Sequence, residues 1–170
     1  MKSVAEICNM KSGRLIGVCL SHQKGTPKQN ISSGILLKNK GLKGDAHAAK
    51  GVRQISLLAI ETIERIKSLG KKHGLELGPG SFAENLTTQD LALTKIPIGS
   101  ELAIGPQARL RITQIGKTCH TGCAIRKAIG DCVMPREGVF AKVLKGGTVK
   151  VGNKINILVP KRPPKKIITV

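Results

Sequence analysis

Apolar residues in this chain come in short runs separated by Gly, Pro and Asn, the punctuation expected of β-strands. Residues 13–21 (GRLIGVCLS) and 30–38 (NISSGILLK) are two such runs. Residues 101–104 and 108–114 alternate apolar and polar positions around the turn Gly105-Pro106, which predicts a hairpin. Further strands are predicted over 139–144, 148–151 and 154–159, separated by Gly146-Gly147 and Gly152-Asn153. Many short strands at close spacing suit a closed, mainly antiparallel barrel with no open edges. Helical periodicity appears in two places. Residues 56–69 put Ala59, Ile60, Ile63, Ile66 and Leu69 on one side, with Gly70 as the expected stop and Lys71 and Lys72 at the negative end of the dipole. A shorter helix is predicted over 121–129, ending at Gly130.

With 170 residues and no internal repeat, the pattern predicts a single domain over 1–160 and a basic, proline-containing tail over 161–170. The formal net charge is +19, with 14 of the 29 Lys and Arg residues in the first 85 positions and 15 in the rest. Such a surface attracts anions, whether nucleic acid, an acidic protein or a phosphorylated small molecule, and charge alone does not choose among them. The aromatic content does: Phe82 and Phe140 are the only aromatic residues of the Phe, Tyr and Trp types. A reader of single-stranded nucleic acid by base stacking is therefore disfavoured, although a basic barrel binding nucleic acid stays as the alternative. No apolar run suggests a leader or a membrane span, so a cytoplasmic protein with reduced thiols is expected.

The chemistry concentrates in residues 114–147, which hold Cys119, Cys123 and Cys132, His120, and the cations Lys117, Arg126, Lys127 and Arg136. Cys119 follows a predicted strand and precedes a predicted helix. A thiol so placed among cations favours its thiolate, the form that acts as nucleophile or soft-metal ligand. Three arrangements fit: a single working thiolate at Cys119, a Cys119–Cys123 redox pair, or a Cys3His zinc module with His120. The last two lack the C-x2-C spacing usual for them. Cys8 and Cys19 read as structural. Gly116-Lys117-Thr118 imitates a phosphate-binding loop, but Arg111 stands where that motif needs Gly.

Four segments in order, GLKGDAHA (41–48), RQISLL (53–58), GSFAENLT (80–87) and IGKTCHTGC (115–123) followed by GDCVMPREGVFAKVLKGG (130–147), resemble the MOSC family, the domain found at the C-terminus of molybdenum-cofactor sulfurases. The resemblance spans about residues 13–158. It implies a mostly β, barrel-like fold and a role with the molybdenum cofactor (molybdopterin), as a sulfur carrier or binding module. The family cysteine, sulfur acceptor or metal ligand, maps to Cys119. The Gly-Asp-x-His motif maps to Gly44, Asp45 and His47, and Glu-Asn-Leu-Thr to Glu84, Asn85, Leu86 and Thr87. Asn153 stands where the family's late turn usually has Asp.

The implied cofactor is an anion with a soft metal centre. Lys117, Arg126, Lys127 and Arg136 are the candidate phosphate partners and Cys119 the candidate sulfur acceptor or molybdenum ligand. The resemblance also implies a cysteine desulfurase, a molybdoenzyme or a cofactor-biosynthesis protein as partner. Pyridoxal phosphate is not expected here, since the aminotransferase-like domain that binds it in the sulfurases has no counterpart in 170 residues. Asp45, His47, Glu84, Asn85 and Arg136 are expected to converge near Cys119.

Overall fold

The computed structural model describes residues 12–119 and 124–160. Cys8, His120, Cys123, the first three positions of the predicted second helix and the basic tail lie outside the described residues.

The strands are β1 (Ser12–Leu20), β2 (Gln29–Asn30), β3 (Ser33–Leu37), β4 (Gly41–Leu42), β5 (Ile55–Ala59), β6 (Leu86–Gln89), β7 (Glu101–Ile104), β8 (Ala108–Ile115), β9 (Val139–Lys145), β10 (Gly147–Lys150) and β11 (Lys154–Leu158). Seven of them close a barrel in the order β1-β11-β7-β8-β9-β5-β6, with β6 returning to β1. All neighbours are antiparallel except β5 and β6, which run parallel. A small sheet, β10-β3-β4, stands beside the barrel, and β2 extends from β1. The expected mainly antiparallel barrel is the fold found.

Parallel strands need a crossover, and helix α1 (Ile60–Lys72) supplies it. Here the sequence expectation needs correction. Residues 56–59 are not helical: they form most of β5, with Leu57 opposite Leu86 on one side and Val139 on the other. A strand buried between two neighbours reads as a continuous apolar run, which periodicity does not separate from a helix. The start of α1 carries no side-chain cap at Ala59 that would have marked the boundary. Nor does Gly70 end the helix. It lies within α1, where a Cβ would meet Leu77 Cδ1 at 2.7 Å, so Gly70 is a point of close packing.

The predicted strand over 30–38 is broken. Ser32 has φ 62°, and Asn30 Oδ1 accepts from both Ser32 N (3.0 Å) and Val18 N (3.2 Å), so β2 stays on the barrel while β3 leaves for the small sheet. Two short elements carried no sequence signal: β6, and helix α3 (Met134–Glu137), which follows α2 (Ala124–Ile129). Asn153 fits its turn by accepting from Lys150 N through Oδ1 at 2.9 Å.

The pleat of β5 separates two cores. Leu57 points into the barrel with Leu15, Leu86, Leu110 and Ile155. Leu58 points outward to a second cluster with Ile63, Phe82, Ile125, Met134 and Phe140. This outer cluster floors the cleft.

Candidate functional site

Three loops and the end of β8 meet over the outer core. The first brings Lys28, the second His47 and Arg53, the third Ser81, Phe82 and Ala83, and the segment after β8 brings Lys117, Thr118 and Cys119. They enclose two adjoining cavities of about 290 and 320 Å³. His47, Arg53, Phe82, Ala83, Lys117 and Met134 line both. Lys28, Gln54, Ser56, Asn85 and Phe140 complete the first, while Cys119, Cys132, Ile125 and the Gly25–Pro27 turn belong to the second.

The third loop is shaped by a buried carboxylate. Glu84 accepts from Gly80 N (2.6 Å) and Thr87 Oγ1 (2.8 Å) with Oε1, and from Phe82 N (3.1 Å) with Oε2. Burial nevertheless outweighs those bonds and pushes the Glu84 carboxyl above its ordinary value. Asn85 ties two strands: Oδ1 accepts from Ser56 N and Oγ, and Nδ2 donates to the Cys19 carbonyl at 3.2 Å. Gly80 has φ +90°, and a Cβ there would fall 2.0 Å from the Lys28 carbonyl. The loop thus packs backbone to backbone against the Lys28 segment. Ala83 also holds a positive φ, 60°, at the wall of both cavities.

Lys28 is the buried cation of the cleft, with its side chain 1% exposed. It pairs with Asp45 Oδ1, and Asp45 further accepts from Ser21 N (3.1 Å) and His47 N (3.1 Å). Burial raises the Asp45 carboxyl, but the bond from Lys28, the Ser21 amide, the Lys28 charge and the His47 amide together hold it below the ordinary carboxylate value. Lys28 Nζ also reaches His47 Nδ1 at 3.3 Å. An ammonium has only donors, so Nδ1 must accept, which places the imidazole proton on Nε2. Burial first, and then the Lys28 charge, hold the His47 pKa below its usual value against the pull of Asp45. The imidazole is therefore neutral at pH 7.

Arg53 and Lys117 flank the ring of Phe140 at 5.8 and 6.0 Å from its centroid, a cation–π arrangement that holds both charges over the first cavity. Gly116, with φ 71°, turns the chain out of β8, and its amide donates to the Gly138 carbonyl at 2.6 Å. That turn presents Lys117 and Cys119 to the cleft.

The structure brings His47, Asn85, Lys117 and Cys119 of the sequence candidates to the cleft wall, with Asp45 holding His47 and Lys28 from behind. It places the others elsewhere. Glu84 and Thr87 are fully buried frame groups rather than wall groups. Arg136 does not line either cavity: its exposed guanidinium pairs with Asp131 at 2.8 and 3.1 Å. Arg126 is exposed on α2 and also absent from the lining. The expected convergence thus needs correction for Glu84 and Arg136. Lys28 and Arg53, which the sequence reading did not single out, take the cationic positions instead. Arg53 opens the RQISLL segment, and that was the available signal. Lys28 sits in a turn with no local signature.

Cys119 is partly exposed, whereas Cys19 is fully buried and its thiol is pushed up to about 12 by burial and by the nearby Glu84 charge. Iodoacetamide at pH 7 is expected to label Cys119 in the native protein and leave Cys19 unlabelled, as read by peptide mapping. Equal labelling of the two would contradict the full burial of Cys19. Among the described residues, no group of three or more His, Cys, Asp or Glu side chains is placed to hold a metal ion. Phe82 and Phe140 are each 5% exposed, so no aromatic platform faces solvent. No helix among the described residues is long and apolar enough to cross a membrane.

Residues 44–156 match the MOSC domain family. No curated protein matches the sequence. Among solved structures, the YUAD protein from Bacillus subtilis superposes with a TM-score of 0.70 at 18% identity, covering 88% of this chain and 97% of that one. YiiM from Escherichia coli gives 0.63 at 16% identity, with 88% and 70% covered, and YiiM from Geobacillus stearothermophilus 0.57 at 16%, with 86% and 73% covered. At these identities the likeness establishes the barrel fold.

Proposed function

Because the chain belongs to the MOSC domain family, which is associated with molybdenum cofactor biology, we propose that its cleft binds the molybdenum cofactor and that Cys119 carries sulfur to it as a persulfide. The observation that carries this reading is the make-up of the cleft wall. Lys28, Arg53 and Lys117 line it together with a neutral His47 and the thiol of Cys119, and among the described residues no Asp or Glu does.

That donor set fits the group. A phosphate-bearing pterin needs fixed cations in a recess, and Arg53 and Lys117 are held there by Phe140. Lys28 is already neutralised in part by Asp45, so its role is to orient His47, whose Nε2–H is left as a donor toward the cleft. When bound, the cofactor supplies a soft, dithiolene-held metal centre matched to sulfur ligands. Cys119 loads by attack of its thiolate on the outer sulfur of a donor persulfide, R–S–SH. The new S–S bond forms at Cys119 as the donor's S–S bond breaks, and R–S⁻ leaves. We assign the donor role to a cysteine desulfurase and the receiving role to a molybdoenzyme or a cofactor-biosynthesis protein.

The deciding measurement is the content of protein purified without oxygen. Molybdenum and pterin released by oxidation are each expected in a sizeable fraction of chains, and persulfide mapped to the Cys119 peptide in a detectable one. Absence of all three after expression with an active cofactor pathway would overturn the reading.

A further inference from the structure

Among the described residues, two thiols line the second cavity: Cys119 and Cys132, the latter 6% exposed and set between α2 and α3. Cys19 does not line that cavity, and burial pushes its thiol up to about 12, so among the described cysteines only Cys132 shares the chamber with Cys119. Resting on the carrier reading, we propose that Cys132 is a resolving thiol that discharges the Cys119 persulfide into the cleft as sulfide.

The chemistry balances with the groups present. The Cys132 thiolate attacks Sγ of Cys119–S–SH, the Cys119–Cys132 disulfide forms, and the terminal sulfur leaves as HS⁻. That sulfur is reduced by two electrons and the two cysteine sulfurs are oxidised together by two. A small-molecule thiol reductant returns both cysteines to thiols. The setting suits the step. The chamber's lining includes the apolar side chains of Ile125, Phe82 and Met134, and Lys117, which offers a cation to the departing HS⁻. Arg136, whose charge is favoured first by its bonds to Asp131, is also close enough to be favoured by charge on Cys132.

Glutathione persulfide, added anaerobically to the reduced protein, is the probe, with intact mass, peptide mapping and released sulfide as readouts. The parent protein is expected to end with a Cys119–Cys132 disulfide and about one sulfide per chain above the donor's own release. Cys132→Ser should load Cys119 but keep it as a persulfide, with sulfide release reduced at least tenfold. A Cys132→Ser protein that releases sulfide at the parent rate, or a disulfide mapped to another cysteine, overturns the proposal while leaving the carrier reading standing. Failure of Cys119 to load in both proteins instead overturns the carrier reading, and this inference with it. Diamide oxidation supplies the control on geometry: the Cys119–Cys132 disulfide should form without any persulfide, and its absence would also overturn the proposal.

Discussion

Cys119→Ser is expected to remove persulfide loading entirely while leaving the barrel as stable as the parent to within about 1 kcal/mol. The side chain is partly exposed, so oxygen in place of sulfur changes little packing. A hydroxyl at neutral pH, however, is neither a comparable nucleophile nor a soft ligand. The other described cysteines do not compensate. Cys19 is buried in β1 with its proton held to about pH 12, and Cys132 is 6% exposed. Incubation with a desulfurase and cysteine, followed by persulfide-specific labelling and intact mass, reads the outcome, and denaturant unfolding reads stability. Sulfur carried by Cys119→Ser at the parent level would move the site elsewhere. Loss of cofactor in the same variant, with retention of the anion-binding cations, would separate thiolate ligation from phosphate anchoring.

The barrel was legible because its strands are bounded by residues with a local conformational reason to end them. Gly105-Pro106 and Gly152-Asn153 mark real turns between the predicted strands, Gly146 is the break at which the chain leaves β9 in the barrel for β10 in the small sheet, and β7 to β11 follow the prediction within a residue or two. What sequence did not reveal is where an element is defined by its neighbours. Residues 56–59 are strand because β6 and β9 bond them on both sides, a fact absent from their own periodicity. β6 is four residues long and continuous with a loop whose shape depends on a buried carboxylate.

The site divides in the same way. Cys119 and Lys117 were legible from a thiol and a cation between a strand and a helix, and His47 from a glycine-punctuated motif. Glu84 and Thr87 stood out for a different reason: they build the loop, each bonded within its own few residues, and do not face the cleft. Lys28 was invisible because its importance comes from partners 17 and 19 residues away in the chain. A buried lysine declares itself only once its carboxylate is found.

Lys28→Ala is accordingly expected to be the most destabilising single change at the cleft, by about 3–5 kcal/mol at pH 7. The pair's side chains are 1% and 2% exposed, so removing the ammonium leaves the Asp45 carboxylate buried without its counter-charge. The amides of Ser21 and His47 still donate to it, but burial, the largest influence on Asp45, is then no longer offset by Lys28. The pH dependence follows from that reversal. In the parent, Asp45 titrates below its ordinary value, so its contribution is complete above the unfolded-state pKa and is lost as pH falls through the folded value. In Lys28→Ala its pKa rises, so the deficit is largest at neutral pH and shrinks as acid supplies the missing proton. Denaturant unfolding at pH 7 and pH 4 should therefore show a smaller difference between parent and variant at pH 4. Lys28→Met combined with Asp45→Asn removes both charges, keeps an acceptor for the Ser21 amide, and should recover part of the loss at pH 7. His47, relieved of the ammonium at 3.3 Å, should titrate closer to its ordinary value in the double variant, as followed by the imidazole NMR signal. A Lys28→Ala deficit independent of pH would mean that lost packing of the lysine stem, rather than the stranded carboxylate, dominates the cost.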